Sequence, residues 1–143
     1  MKIDLVDLQD RNLDGRFVRR VAQRAAREAG ATSGALSVAL VDDARIAELN
    51  HQHRGLSRPT DVLAYEGDDP DYLGDVVISV ETAARQAEQA GRSLLHEVAW
   101  LAAHGVLHLL GHDDVEASGR AAMVERQDRA LAACLPARRS EVS

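Results

Sequence analysis

The chain has one cysteine, Cys134, in 143 residues, so no internal disulfide staples it and the count argues against a thiolate-built zinc site. A reducing cytoplasm suits such a chain. Aromatic residues make up only 3%, one Phe, one Trp and two Tyr, which leaves the core to Leu, Val, Ile and Ala. That scarcity argues against nucleic-acid binding on an aromatic stacking platform. No apolar run reaches the roughly 18 residues of a membrane span, and Met1 to Asp7 lacks the basic start and apolar stretch of a signal peptide. The expectation is a protein neither secreted nor membrane-spanning. Basic side chains are the minority, 17 against 23 acidic, for a formal net charge of −6. The bulk field repels phosphate, so a nucleic-acid role requires a local basic cleft or delivery by a partner.

What is present is globular. With 45% hydrophobic and 28% charged residues, the chain has the composition of one compact domain with a packed core. That domain is expected over 1–137, and the tail 138–143, whose only apolar residue is Val142, is expected to fray. Alternation marks strands at Lys2 to Val6, Ala35 to Val41, Asp61 to Tyr65 and Gly74 to Ser79. The acidic segment Glu66 to Tyr72 reads as a solvated loop. A 3.6-residue period marks a helix over Arg16 to Ala29 with Gly30 as its stop, and Asp42 or Asp43 caps a helix through Ile46 and Leu49. Thr82 to Ala90 is a third helix ending at Gly91. Ser93 caps a long fourth that Gly111 terminates after Leu110. A fifth, about Glu116 to Leu131, is expected to turn Val124 and Leu131 inward and to stop before Pro136. The fold class is therefore α+β, four strands and about five packed helices.

Three of the six histidines fall in the run His104-Gly105-Val106-Leu107-His108-Leu109-Leu110-Gly111-His112-Asp113-Asp114. His104 and His108 are four apart, which on a helix puts their Cβ atoms about 5 to 6 Å apart on one face, close enough to reach one ion. Catalytic zinc takes three protein ligands and keeps one position open. Glycine tolerates the left-handed conformation that ends a helix, so the chain can reverse at Gly111 and return His112, Asp113 or Asp114 towards the pair. Taken alone, two histidines at this spacing are ordinary helix residues. The apolar Leu107, Leu109 and Leu110 around them and the His-Asp-Asp cluster beyond the glycine favour a metal site.

The run resembles the signature of the YbeY family of zinc-dependent bacterial endoribonucleases, H-G-x-L-H-L-x-G-Y-D-H. Leu49-Asn50 with His53-Arg54-Gly55, then Pro59-Thr60-Asp61-Val62-Leu63-Ala64-Tyr65, resemble that family's L-N-x-x-Y-R and P-T-D-V-L-S-F. Leu73-Gly74-Asp75-Val76-Val77-Ile78-Ser79 resembles its L-G-D-I-x-I-S, and Glu97 stands where the helix often carries an acid. The resemblance implies a mixed four-stranded sheet and a single-strand-specific endoribonuclease acting in ribosomal RNA (16S 3′-end) maturation and ribosome quality control. It implies one Zn2+ per chain, single-stranded RNA as substrate, and the small ribosomal subunit with assembly factors as partners. Position by position, the metal ligands it implies are His104, His108 and Asp114, with Arg54 as the catalytic arginine that grips a phosphate oxygen.

Two positions depart from the signature: Asp114 replaces its last histidine and His112 its tyrosine. Aspartate is an accepted zinc ligand, although it leaves one positive charge on a divalent ion where three histidines leave two, which tilts metal choice towards harder ions. His112 as third ligand is the competing reading. Asp113 is a candidate to orient a ligand histidine, and Arg58 could add to a basic mouth. Thr60 and Asp61 are expected in turn and capping roles, and His96 and Trp100 as packing residues. Two other functions share the His-x3-His pair. One is a peptidase of the H-E-x-x-H type, which needs Glu where Gly105 stands. The other is a non-catalytic ribosome-assembly factor with a structural metal, which would close the site with four ligands.

Overall fold

The computed structural model describes residues 1–55, 60–112 and 116–136, with Arg54 described by its backbone alone. The element order is β1 (Lys2–Asp7), α1 (Gly15–Glu28), β2 (Ala35–Val41), α2 (Asp43–Arg54), β3 (Val62–Asp69), β4 (Tyr72–Ser79), α3 (Val80–Ala90), α4 (Leu94–Leu109) and α5 (Ala117–Cys134). The strands form one sheet in the order β1-β2-β4-β3. β1, β2 and β4 run parallel and β3 lies antiparallel on β4 at the edge. This is the mixed α+β architecture expected.

Side-chain alternation divides the sheet into two faces. Leu36, Val38 and Leu40 of β2 and Val76 and Ile78 of β4 enter the main core with α1, α3, α4 and α5. Val41, Leu63 and Val77 turn to the other face and pack with Ile46 of α2. Among the described residues no helix is long and apolar enough to cross a membrane. α4 is the innermost helix: Val98, Ala99, Leu101, Ala102, Ala103, Gly105, Val106 and Leu107 are all buried. An apolar stripe that wraps most of a helix belongs to one covered on several sides, and α4 meets α1, α3, α5, β3 and β4.

Two expectations are corrected. The acidic segment Glu66 to Tyr72 is mostly strand, not loop: β3 continues to Asp69 and pairs Glu66 with Gly74 and Asp69 with Tyr72 across a register shift. Glu66, Asp68 and Asp69 are exposed, and an edge strand carries charge because charge discourages pairing with another chain. The last helix runs on to Cys134, and it turns Met123, Gln127 and Ala130 inward. Val124 is 42% exposed, since the inward row is set one position, about 100°, from the expected phase. The tail 138–143 lies outside the described residues.

Asp43 ties α2 to α3. Its Oδ1 accepts from Ser79 Oγ and Thr82 Oγ1, each at 2.6 Å, and its Oδ2 accepts from Arg85 at 2.9 Å. Burial alone would raise the Asp43 pKa, but those three donors and the Arg85 charge outweigh it and hold the carboxyl below its ordinary value. A folded pKa below the unfolded one contributes stability above the unfolded value, lost as pH falls through the folded one. Asp43→Asn is therefore expected to cost about 1–2 kcal/mol at pH 7. The melting-temperature gap to wild type should narrow below about pH 4. A gap that stays constant down to pH 2 would contradict this.

Candidate active site

His104 and His108 stand one turn apart on α4 and line the same cleft, of about 610 Å³. Its opposite wall is Val62, Leu63, Ala64 and Tyr65 of β3, and His53 of α2 joins the lining. His104 is half-buried and His108 exposed, so the pair runs from the domain interior to solvent. The His53 and Tyr65 rings lie 4.3 Å apart between centroids, tilted by 35°. No sequence pattern joins His53 to Tyr65, because the strand that supplies Tyr65 reaches it only through the fold.

Gly105 explains how the histidines come so close to the sheet. A Cβ there would lie 2.4 Å from Val76 Cγ1, and Val76 is a stiff β-branched side chain fully buried in β4. The helix backbone therefore rests directly on the strand. Gly105 also counts against the peptidase reading, since it offers no carboxylate where that chemistry needs a general-base glutamate.

α4 ends in the reversal its glycine predicts. Leu110 is the cap, Gly111 has φ +92°, and the Gly111 and His112 amides donate to the carbonyls of His108 and Leu107, each at 3.1 Å. That is a Schellman ending, with glycine at the left-handed position. His112 emerges half-buried, and burial followed by the Arg126 charge on α5 pushes its imidazole pKa down. It is not among the residues that line the cleft with His104 and His108. Asp113 and Asp114 lie outside the described residues, as does Arg58. Among the described residues no three His, Cys, Asp or Glu side chains form a metal-sized group. The structure thus brings two of the expected ligands to one cleft.

Asp61, His96 and Trp100 take the capping and packing roles expected of them. Asp61 Oδ1 accepts from Val62 N at 2.7 Å and its Oδ2 from Gln86 Nε2 at 3.3 Å, fixing the start of β3. His96 packs on Phe17 and the Trp100 indole donates to Asp128. Glu97 is buried on α4, 3.4 Å from Arg92. Burial raises its pKa, with Arg92 opposing and Asp61 adding to the rise. One polar side chain escaped the sequence reading. Gln127 of α5, 1% exposed, places its Oε1 3.2 Å from His104 Nδ1. An amide standing in the inward row of Met123 and Ala130 is the signal that could have found it.

The site therefore belongs to a small α+β domain whose most buried helix presents paired histidines to a cleft under an edge strand. The same fold occurs in the solution structure of TM1509 from Thermotoga maritima, with a TM-score of 0.67 at 24% identity, covering 92% of this chain and 88% of that one. The family model of Endoribonuclease YbeY matches residues 5–134. Among similar proteins, Endoribonuclease YbeY of Moorella thermoacetica is 47% identical over 129 residues, 80% of this chain and 83% of its own. That of Symbiobacterium thermophilum is 44% identical over 130 residues, 81% of this chain and 83% of its own. The chain belongs to the Endoribonuclease YbeY family.

Proposed function

We propose that this chain is a zinc-dependent endoribonuclease that cuts single-stranded RNA during ribosomal RNA maturation in the cytoplasm. Its family makes it an endoribonuclease, a hydrolase of RNA phosphodiester bonds. The observation that carries the finer reading is the arrival of His104 and His108 at one cleft. The donor chemistry suits zinc: imidazole nitrogen is a preferred ligand, and His104 has one ring nitrogen engaged by Gln127, the arrangement ligating histidines adopt. His104, His108 and Asp114 would hold the ion. When bound, it supplies Lewis acidity at the phosphate and a water acidified towards neutral pH.

The chain's own groups do the rest. The cleft between α4 and β3, lined by His104 and His108, receives the RNA strand. The His53 and Tyr65 rings, 4.3 Å apart between centroids, form part of its lining. Arg54, the last residue of α2 and the catalytic arginine the family resemblance implies, would grip a phosphate oxygen. The small ribosomal subunit and its assembly factors would bring RNA to a protein whose net charge of −6 does not attract it.

Arg54→Ala is expected to slow cleavage of a labelled single-stranded RNA by about 100- to 1000-fold, the loss that follows removal of a transition-state-stabilising donor. Zinc content should stay at the wild-type level, because the arginine contacts phosphate and not the ion. Unchanged cleavage, or loss of zinc, would overturn this role. A wild-type protein loaded with zinc that leaves single-stranded RNA intact would overturn the functional reading itself.

A further inference from the structure

α5 reaches His104 of the pair through Gln127. This side chain is 1% exposed, and a buried amide is costly unless both its ends are hydrogen-bonded. Its Nε2 donates to the backbone carbonyl of Trp100 at 3.2 Å, and its Oε1 stands 3.2 Å from His104 Nδ1. The carbonyl fixes which end of the amide is which. A backbone oxygen only accepts, so the NH2 end must face Trp100 and the oxygen must face His104. Nδ1 opposite an acceptor must carry the proton, and the neutral imidazole then bears its lone pair on Nε2.

Trp100 lies one helical turn before His104 on α4, so the group that orients the amide and the group the amide orients belong to the same stretch of helix. The next residue of α5 strengthens the arrangement. Asp128 Oδ1 accepts from the Trp100 indole at 2.8 Å, which fixes α5 against α4 at that turn. Gln127 cannot reverse its amide without placing NH2 against Nδ1 and oxygen against oxygen.

We propose that Gln127 is a positioning residue that holds His104 as its Nδ1–H tautomer and presents Nε2 as the metal-binding nitrogen. The inference rests on the reading of His104 as a ligand. In a metal site such a partner fixes both ring orientation and tautomer, and its loss weakens metal binding by about 10- to 100-fold. The amide performs this task without adding charge to a buried position.

The test uses the full chain labelled with 15N at the histidine rings. Ring-nitrogen NMR of the zinc-free protein reads the tautomer, with His104→Asn identifying the resonance, and competition with a chelator reads zinc affinity. Wild type is expected to show the Nδ1–H tautomer. Gln127→Met, nearly equal in volume, should lose that preference and bind zinc about 10- to 100-fold more weakly. Gln127→Glu keeps the acceptor and should retain the tautomer and most of the affinity, and it carries the comparison should the Met variant fail to fold. A folded Gln127→Met with wild-type tautomer and wild-type zinc affinity would overturn the proposal, as would a Gln127→Glu variant that loses the tautomer. A wild type that binds no zinc would overturn the ligand reading, an outcome distinct from zinc binding that is indifferent to Gln127.

Discussion

His108→Ala is expected to reduce bound zinc from about one equivalent to a trace and to slow cleavage of single-stranded RNA by at least about 100-fold. His108 is the exposed member of the pair. In the zinc-free protein, replacing an exposed side chain costs the fold within about 0.5 kcal/mol, so equal melting of the two zinc-free proteins separates lost metal from unfolding. His104→Ala should remove zinc as thoroughly but also lower stability. It leaves the buried Oε1 of Gln127 without its imidazole partner, and an orphaned buried polar group costs about 1–3 kcal/mol. The two variants thus separate the chemistry of the pair from its packing. Metal content and cleavage unchanged in His108→Ala would remove the pair from the mechanism.

Gly105→Ala is expected to destabilise the domain by about 1–3 kcal/mol, the cost of inserting a carbon into a filled core. Helix propensity alone predicts the opposite sign, since alanine gains roughly 1 kcal/mol over glycine inside a helix. The geometry decides between them. The new methyl group would meet Val76 Cγ1 at 2.4 Å and Cγ2 at 2.9 Å, so the fully buried Val76 or the helix must shift. A shift of α4 moves the residues on either side of position 105, and zinc affinity should fall with stability, by about tenfold. Thermal unfolding and zinc titration on the same sample check both. A variant more stable than wild type would show that β4 yields at that point and that Gly105 does not set the helix position.

Much of the architecture was legible because local signals and burial agree. Asp42 and Ser93 cap their helices through side-chain oxygens, and Gly111 adopts the left-handed conformation that the His104 to Asp114 run needs to reverse. Legibility failed where tertiary context overrides local chemistry. Glu66, Asp68 and Asp69 carry the composition of a loop, yet pairing with β4 makes all three strand residues of β3. In α5 Val124 is the more apolar choice, but the inward row is set by Met123, Gln127 and Ala130 against α4. The cleft was legible in its two histidines, four apart on one helix. Its other wall was not, because Tyr65 and His53 are brought together only by the antiparallel return of β3, and Gln127 reaches His104 across 23 positions of sequence.

The most direct test is zinc-edge X-ray absorption on the purified full chain. Two imidazoles and further oxygen ligands, all at about 2.0–2.2 Å with one of the oxygens from exchangeable water, is the predicted pattern. Fewer than two imidazoles, or a shell closed by four protein ligands, would contradict a hydrolytic ion held by His104 and His108.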